Sequence, residues 1–169
     1  MSDQVQGRGG FGSQGLMSPD RAKKFYRMAL AMADEMSKDR KKKVGAIAIG
    51  PDGEIRSTGY NGFPRGVDEQ PDGRHLKPVK LQYTCHAEEN VVAQAARVGV
   101  SLKGCSLVVT TLFPCTTCAR LIIQAGIVEV FAPTPSAINC NPHWIAEAQV
   151  SQQMFDEAKI RVHHLGVEK

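Results

Sequence analysis

HAEENVVAQAARVGVSLKGCSLVVTTLFPCTTCARLIIQAGIVEVF, residues 86–131, alternates between helical and extended hydrophobic patterns. Its apolar residues predict four elements in order: a helix over 86–98, a strand over 106–110, a helix over 115–125 and a strand over 127–131. Strands that alternate with helices form parallel pairs, and the helices pack on the face of the sheet. This stretch therefore predicts an α/β fold.

The sequence on either side extends the pattern. Ser18-Pro19-Asp20 offers a capping hydroxyl, a proline for the first turn and an acidic residue, which predicts a helix running to about Ser37. Two extended runs, over 44–49 and 54–60, flank a Pro-Asp-Gly turn and predict a hairpin. Two elements end the chain, a helix over 143–158 and a strand over 160–164. This order predicts a mixed sheet with helices on both faces, in which the three later strands run parallel to their neighbours.

Two segments show neither periodicity. Residues 1–17 carry five glycines among glutamine and serine, and this composition predicts a flexible tail. Residues 61–83 contain three prolines and three glycines. A loop of that length in a compact domain is commonly functional or disordered. We therefore expect a tail over 1–17 and one folded domain over 18–169.

Composition narrows the class of protein. The chain has 169 residues, 42% of them hydrophobic and 22% charged, which is typical of a globular domain and excludes fibrous and wholly disordered proteins. A chain of this size can bury a core that needs no disulfide. The net charge of +4 suits a phosphate-bearing small molecule as well as it suits nucleic acid.

Targeting signals and cysteine usage suggest a compartment. No apolar run approaches the roughly 18 residues of a membrane-spanning helix, and the first fifteen residues lack the apolar centre of a signal peptide. We expect a cytoplasmic protein with no membrane partner. Cys115 and Cys118 lie too close in sequence for an ordinary structural disulfide, so reduced thiols or metal ligation is the better interpretation.

Two short motifs carry chemistry: His86-Ala87-Glu88 and Pro114-Cys115-Thr116-Thr117-Cys118. One imidazole and two thiolates make a zinc site with three protein ligands, and the open fourth position is typical of catalytic zinc. Glu88 follows the histidine by two residues, which suits a group that holds a proton from zinc-activated water. H-x-E combined with P-C-x-x-C is the signature of zinc deaminases that act on cytosine C4 or adenine C6.

Structural interpretations compete with each motif. C-x-x-C alone is also found in redox pairs and in zinc knuckles. Glu88 alone could offset a helix dipole, and His86 alone could be a surface residue. Both structural interpretations would have to hold at once for the deaminase hypothesis to fail, so the combination favours the enzyme.

At these motifs the chain resembles the cytidine deaminase-like superfamily, and most closely its deoxycytidylate (dCMP) deaminases. The S-T-G-Y-N-G piece at 57–62 is the one that points to dCMP deaminases. The resemblance runs from about Ser37 to the final strand and rests on these pieces: Ser37-Lys38-Asp39, Val44-Gly45-Ala46, 57–62, 86–88 with Asn90, 113–119 and 122–127. Where many relatives have Pro-Asn-Ser or Pro-Asn-Thr, this chain has Arg40-Lys41-Lys42-Lys43.

The resemblance implies a three-layer α/β/α fold around a central five-stranded mixed sheet. It implies Zn²⁺ on His86, Cys115 and Cys118, with Glu88 as the proton shuttle. It also implies that Asn61 hydrogen-bonds the sugar or seats the nucleotide. Relatives assemble into dimers, tetramers or hexamers, so we expect a homo-oligomer, with dCTP and dTTP as candidate effectors.

Further substrate contacts are expected at Gly62, Arg65, Ala87 and Phe113. The basic run over 40–43 and the loop residues Arg74, His75, Lys77 and Lys80 are either solvated charges or phosphate contacts. Three cysteines, Cys85, Cys105 and Cys140, are interpreted as small buried or neutral residues. Trp144 and Phe155 are interpreted as core packing on the last helix.

The function expected from the resemblance is hydrolysis of dCMP to dUMP and ammonia by a zinc-activated water, which feeds dTMP synthesis. Alternatives with the same zinc motifs act on another base, a nucleoside, a modified cytosine nucleotide or tRNA adenosine. An inactive zinc-bearing interaction module is the alternative from another class. We expect a small-molecule nucleotide substrate and no nucleic-acid partner, because nucleic-acid substrates usually need a long basic track.

Overall fold

The computed structural model describes residues 17–135 and 142–166. Its helices and strands are α1 (Pro19–Met36), β1 (Gly45–Ile49), β2 (Ile55–Tyr60), α2 (Lys80–Tyr83), α3 (Ala87–Val98), β3 (Ser106–Val109), α4 (Thr116–Gln124), β4 (Glu129–Pro133), α5 (Pro142–Glu157) and β5 (Arg161–Leu165). A 3₁₀ turn spans Asp72–His75. The helices and strands predicted outside the 61–83 segment are confirmed, with bounds that differ by one or two residues.

The strands form one five-stranded sheet in the order β2-β1-β3-β4-β5. β1 pairs antiparallel with both β2 and β3, whereas β3, β4 and β5 are mutually parallel. Ala46 lies opposite Val109, and Ser106 lies opposite Glu129. The predicted mixed sheet is confirmed.

The orientation predicted for β3 is only half right. β3 is parallel to β4, but its other neighbour is the antiparallel β1. The crossover through α3 does join two parallel strands, β2 and β3, because both run opposite to β1. The hairpin partner β1 lies between them, and the order of elements alone could not show that insertion.

The helices cover both faces of the sheet. α1 packs on one face, where Phe25 and Ala29 meet Ile47 and Phe131. On the other face, buried residues of α3, α4 and α5 form a larger cluster with β1, β3 and β4, and its members include Val91, Leu107, Ile122 and Phe155. The three-layer α/β/α architecture is thereby confirmed. No helix within 17–135 or 142–166 combines the length and apolarity required to cross a bilayer.

The ends of the chain and the long loop add detail. The tail expected over 1–17 lies outside the described residues except for Met17, whose backbone N–H donates to the buried Glu129 carboxylate at 3.3 Å. The 61–83 segment contains the 3₁₀ turn and α2, which the sequence did not predict. Each spans four residues, too short for a hydrophobic period to show.

Gly59 on β2 lets α3 approach the sheet closely. A β-carbon at this position would collide with the Ala87 carbonyl oxygen and would lie 2.7 Å from the Val91 nitrogen, both in the backbone of α3. Only a residue without a side chain fits there. The position of the first turn of α3 therefore depends on this glycine.

We expect Gly59→Ala to lower the free energy of unfolding by about 1–3 kcal/mol, because the added methyl must push α3 off the sheet. Urea denaturation measures the loss through the transition midpoint. Gly73→Ala is the matched control, since nothing lies within 4 Å of a β-carbon built at Gly73. Equal stability of the two variants would contradict the close-approach argument.

Candidate active site

Two helix N-termini present the predicted metal ligands. His86 is the N-cap of α3 and Cys115 is the N-cap of α4, and both have extended backbones. The backbone N–H of His86 donates to the Glu89 carboxylate at 2.5 Å, as in a capping box. Cys118 lies one turn into α4, three residues after Cys115. Each motif therefore begins a helix on the same side of the sheet, where α3 and α4 pack against each other.

The caps of α4 come from a different helix. Cys115 makes no side-chain capping hydrogen bond. Instead, Glu147 of α5 accepts hydrogen bonds from the backbone N–H and the hydroxyl of Thr116, each at 3.3 Å. A carboxylate at this position satisfies a terminal N–H and favours the positive end of the helix. The Cys115 sulfur is left available to a ligand.

His86, Cys115 and Cys118 converge on one point. The His86 Nδ1 lies 3.4 Å from the sulfur of Cys115 and 3.4 Å from that of Cys118, and the three donor atoms all lie within 4.8 Å of one another. Tetrahedral zinc with ordinary Zn–N and Zn–S bonds holds nitrogen and sulfur about 3.6 Å apart. The donor types and their separations thus fit zinc, with one coordination position left for a non-protein ligand.

The three donors shift one another's protonation. A hydrogen bond from the Cys118 thiol lowers the pKa of Cys115 to about 4, and the contact with Cys115 raises the pKa of His86 to about 9. The pKa of Cys118 is raised, first by its hydrogen bond to Cys115 and then by burial. Such mutual perturbation is typical of polar groups gathered at a functional site.

Glu88 is a buried carboxyl beside the metal ligands. It is 4% exposed and lines the same cavity as His86 and Cys115. Burial raises the pKa of Glu88 to about 7, against the opposing attraction of His86. A carboxyl in this position can accept and release a proton beside the metal-binding donors.

The site lies in a cavity of about 330 Å³, at the lower end of the range of about 300–1,000 Å³ for small-molecule sites. Its reactive part contains His86, Glu88 and Cys115. The other lining residues fall into an apolar group (Val44, Leu81, Ala87, Leu112, Phe113, Trp144) and a polar, mostly basic group (Asp39, Lys41, Lys42, Asn61, Lys77, Lys80, Thr84). The cavity wall therefore combines apolar surface with an excess of positive charge.

The structure brings only some of the expected substrate contacts to the cavity. Asn61, Ala87 and Phe113 line it, whereas Gly62 and Arg65 do not. The Arg65 guanidinium lies at the surface and donates to the Gln94 side chain at 2.6 Å. Gly62 forms an isolated antiparallel β-bridge with Cys85, the residue that precedes His86.

Asn61 already uses its whole amide group within the protein. Its Oδ1 accepts from the Ser37 hydroxyl at 2.7 Å and from the Val44 N–H at 2.9 Å. Its Nδ2 donates to the Lys42 carbonyl at 2.7 Å and to Asp39 at 3.2 Å. Two donors and two acceptors are the full capacity of the side chain. Asn61 therefore holds the 37–44 segment against the cavity, and a contact with sugar stays a prediction.

Two features of the cavity were not predicted from the sequence. Trp144 packs against the core cluster, as expected, but it is only partly buried and also lines the cavity, with its ring 6.4 Å from that of His86. Lys80 on α2 pairs with Asp39 at 2.5 Å. Burial raises the pKa of Asp39, but the hydrogen bond from Lys80 and those from backbone N–H groups outweigh it and lower the pKa. Neither feature has a local signal, because their partners are distant in sequence.

Comparison with known proteins agrees with this site. The model of the cytidine and deoxycytidylate deaminase zinc-binding region matches residues 19–134. An uncharacterized deaminase from the luxG 3′ region of Aliivibrio fischeri is 40% identical over 141 residues, which cover 83% of this chain and 90% of that protein. The deoxycytidylate deaminase of Pongo abelii is 38% identical over 141 residues, 80% of this chain and 75% of the relative.

A solved structure shares the fold. The dCMP deaminase of the cyanophage S-TIM5, in complex with dCMP and dUMP, superposes with a TM-score of 0.68 at 23% identity, over 89% of this chain and 100% of that one. The α/β/α layers and the His-Cys-Cys donors beside a buried glutamate define a zinc-dependent hydrolytic deaminase. The chain belongs to the cytidine and deoxycytidylate deaminase family.

We expect Cys115→Ala and Cys118→Ala each to lose bound zinc, because a thiolate ligand supplies both charge and geometry. Elemental analysis of the purified proteins measures the zinc content per chain. Cys105→Ala serves as the control, since Cys105 is a free, buried cysteine outside the donor cluster. Zinc retained at the wild-type level in both ligand variants would refute this donor set.

Proposed function

We propose that this protein hydrolyses dCMP to dUMP and ammonia, and that dUMP then serves dTMP synthesis. One observation carries the proposal: the His86, Cys115 and Cys118 donors meet beside the buried Glu88 carboxyl in one cavity with the volume of a small-molecule site. The substrate is supported by the deoxycytidylate deaminase of Pongo abelii and by the nucleotides bound to the cyanophage enzyme.

Glu88 moves the protons of the reaction. Zinc held by His86, Cys115 and Cys118 would act as a Lewis acid and make water a nucleophile at neutral pH. The Glu88 carboxylate accepts a proton from the attacking water and delivers it to N3 of the cytosine ring, which makes C4 more electrophilic. Glu88 then carries the second proton to the 4-amino group, and the C4–N4 bond breaks to release ammonia. Water supplies the oxygen of the new carbonyl.

The cavity walls bind the substrate and exclude water. Phe113 and Trp144 both line the cavity, so their rings can offer aromatic surface to a pyrimidine. Asn61 holds the neighbouring wall through its hydrogen bonds to Ser37, Val44 and Lys42. A base in contact with these rings would share the cavity with Glu88.

The proposal extends to properties of the whole protein. We propose that residues 18–169 form the deaminase domain and that it works as a cytoplasmic homo-oligomer. The four cysteines within the described residues are free, which suits a reducing compartment. Leu76 and Leu81 are 61% and 58% exposed near the cavity, and covering them in an assembly would remove apolar surface from water. Regulation by dCTP and dTTP is carried over from the resemblance.

Glu88→Gln should keep its zinc and lose turnover by about 10²–10⁴-fold or more, because the amide cannot carry protons. Release of ammonia from dCMP measures the rate, and elemental analysis measures the metal. Glu89→Gln is the matched control in the same helical turn, since glutamine can still accept from the His86 N–H. Wild-type turnover in Glu88→Gln would show that another group shuttles the protons.

A substrate panel tests the proposed function directly. We expect ammonia release from dCMP with a higher kcat/KM than from CMP, deoxycytidine, dCTP, guanine or tRNA. The largest rate on guanine or on tRNA would place the enzyme with another branch of the zinc deaminases. Bound zinc without turnover of any member of the panel would favour the inactive interaction module.

A further inference from the structure

Four lysines line the cavity that contains Glu88: Lys41, Lys42, Lys77 and Lys80. They come from two distant segments, the turn after α1 and the loop that contains α2. Among the lining residues that the structure describes, and apart from the groups beside the metal donors, Asp39 is the single acidic residue. These described residues therefore give the cavity wall an excess of three positive charges, and the whole chain has a net charge of +4.

Asp39 brings the two basic segments together. Its Oδ2 pairs with the Lys80 ammonium at 2.5 Å, and both side chains are largely buried, at 5% and 14% exposure. Its Oδ1 accepts from the backbone N–H groups of Lys41 at 2.8 Å and Lys42 at 3.1 Å. One carboxylate thus fixes the turn and the loop on the same wall. Because Lys80 has three N–H donors, the bond to Asp39 does not exhaust them.

The neighbouring basic residues are engaged elsewhere. Lys38 pairs with Glu69 at 2.8 Å and Arg40 pairs with Asp72 at 3.0 Å. The Lys43 ammonium donates to the Asp34 carbonyl. None of these three lines the cavity.

Three of the four lysines on the cavity wall have no such partner. Within the part of the chain that the structure describes, no ion pair forms at the side chains of Lys41, Lys42 or Lys77. The four basic residues at 40–43 therefore have two kinds of surroundings. The side chains of Arg40 and Lys43 bind other groups of the protein, whereas Lys41 and Lys42 line the cavity.

We propose that Lys41, Lys42, Lys77 and Lys80 form the subsite for the 5′-phosphate of the nucleotide. The inference rests on the proposed function, which places the base beside Glu88 in the same cavity that these four lysines line. A phosphate dianion is stabilised by several cationic donors around it, and a lysine serves phosphate as a point charge.

The test compares two double variants that remove the same charge from the same turn. Lys41→Ala/Lys42→Ala removes the cavity pair, and Arg40→Ala/Lys43→Ala removes the outer pair. The probes are dUMP and deoxyuridine, which differ only in the phosphate, and binding to the zinc-loaded protein is measured by calorimetry and by ligand-observed NMR. This equilibrium readout does not depend on turnover.

We expect the Lys41→Ala/Lys42→Ala variant to raise the Kd for dUMP about tenfold or more, because charge-assisted bonds are lost. The Kd for deoxyuridine should stay unchanged in this variant. The Arg40→Ala/Lys43→Ala variant should change the Kd for dUMP by less than about twofold. The salt dependence of dUMP binding should fall in the cavity variant alone. Inorganic phosphate should compete with dUMP for the wild-type protein and compete less for the cavity variant.

Three single variants test the other segment. Lys77→Ala removes an exposed side chain and should weaken dUMP binding selectively. Lys80→Met leaves the Asp39 carboxylate without its cation and can destabilise the protein. Both the unfolding of this variant and its affinity for dUMP are therefore measured. Lys80→Arg keeps the ion pair and should restore dUMP binding. A loss of affinity shared equally by dUMP and deoxyuridine would mean that Lys80 only supports the wall.

Two results would overturn the subsite: wild-type affinity for dUMP in the cavity variant, or an equal loss in the outer variant. Failure of the proposed function looks different. A wild-type protein that binds dUMP through these lysines but does not deaminate dCMP would retain the subsite and refute the reaction. A protein that deaminates dCMP with a KM insensitive to the lysines would retain the reaction and refute the subsite.

Discussion

The site depends on the convergence of two helix N-termini at one point. A helix start has unpaired backbone N–H groups, and the side chain at the N-cap is the usual group to satisfy them. In this protein, carboxylates satisfy one backbone N–H at each start: Glu89 accepts from that of His86, and Glu147 accepts from that of Thr116. The imidazole of His86 and the sulfur of Cys115 face each other at 3.4 Å. Gly59 completes the arrangement because it allows the first turn of α3 to lie against β2.

Much of the fold was predictable because its signals are local. Helical periodicity in 86–98 and 115–125 and alternation with short apolar strands define an α/β sheet without knowledge of any contact. The zinc donors were predictable for a similar reason, since H-x-E and C-x-x-C each fall within one helical turn. The polarity of β3 was not fully predictable, because strand order depends on where β1 inserts, and no local pattern records that choice.

Residues that act across the sequence were harder to recognise. Asn61 was expected to contact the sugar or seat the nucleotide. It lines the cavity, but its hydrogen bonds to the 37–44 segment are visible only in three dimensions. Arg65 was expected to contact the substrate, yet its side chain lies on the outer surface near Gln94. Lys80 was one basic residue among many in a loop. Its pairing with Asp39 joins residues 41 positions apart in the sequence, and no local sequence pattern indicates it.

The last helix has a consequence for how relatives should be compared. The family match ends at residue 134, but Glu147 and Trp144 lie beyond it and take part in the centre of the molecule. Two proteins that are compared only over the matched region can therefore share every zinc motif and still differ at α5. A comparison that leaves α5 out omits the helix that caps α4 and adds an aromatic ring to the cavity wall.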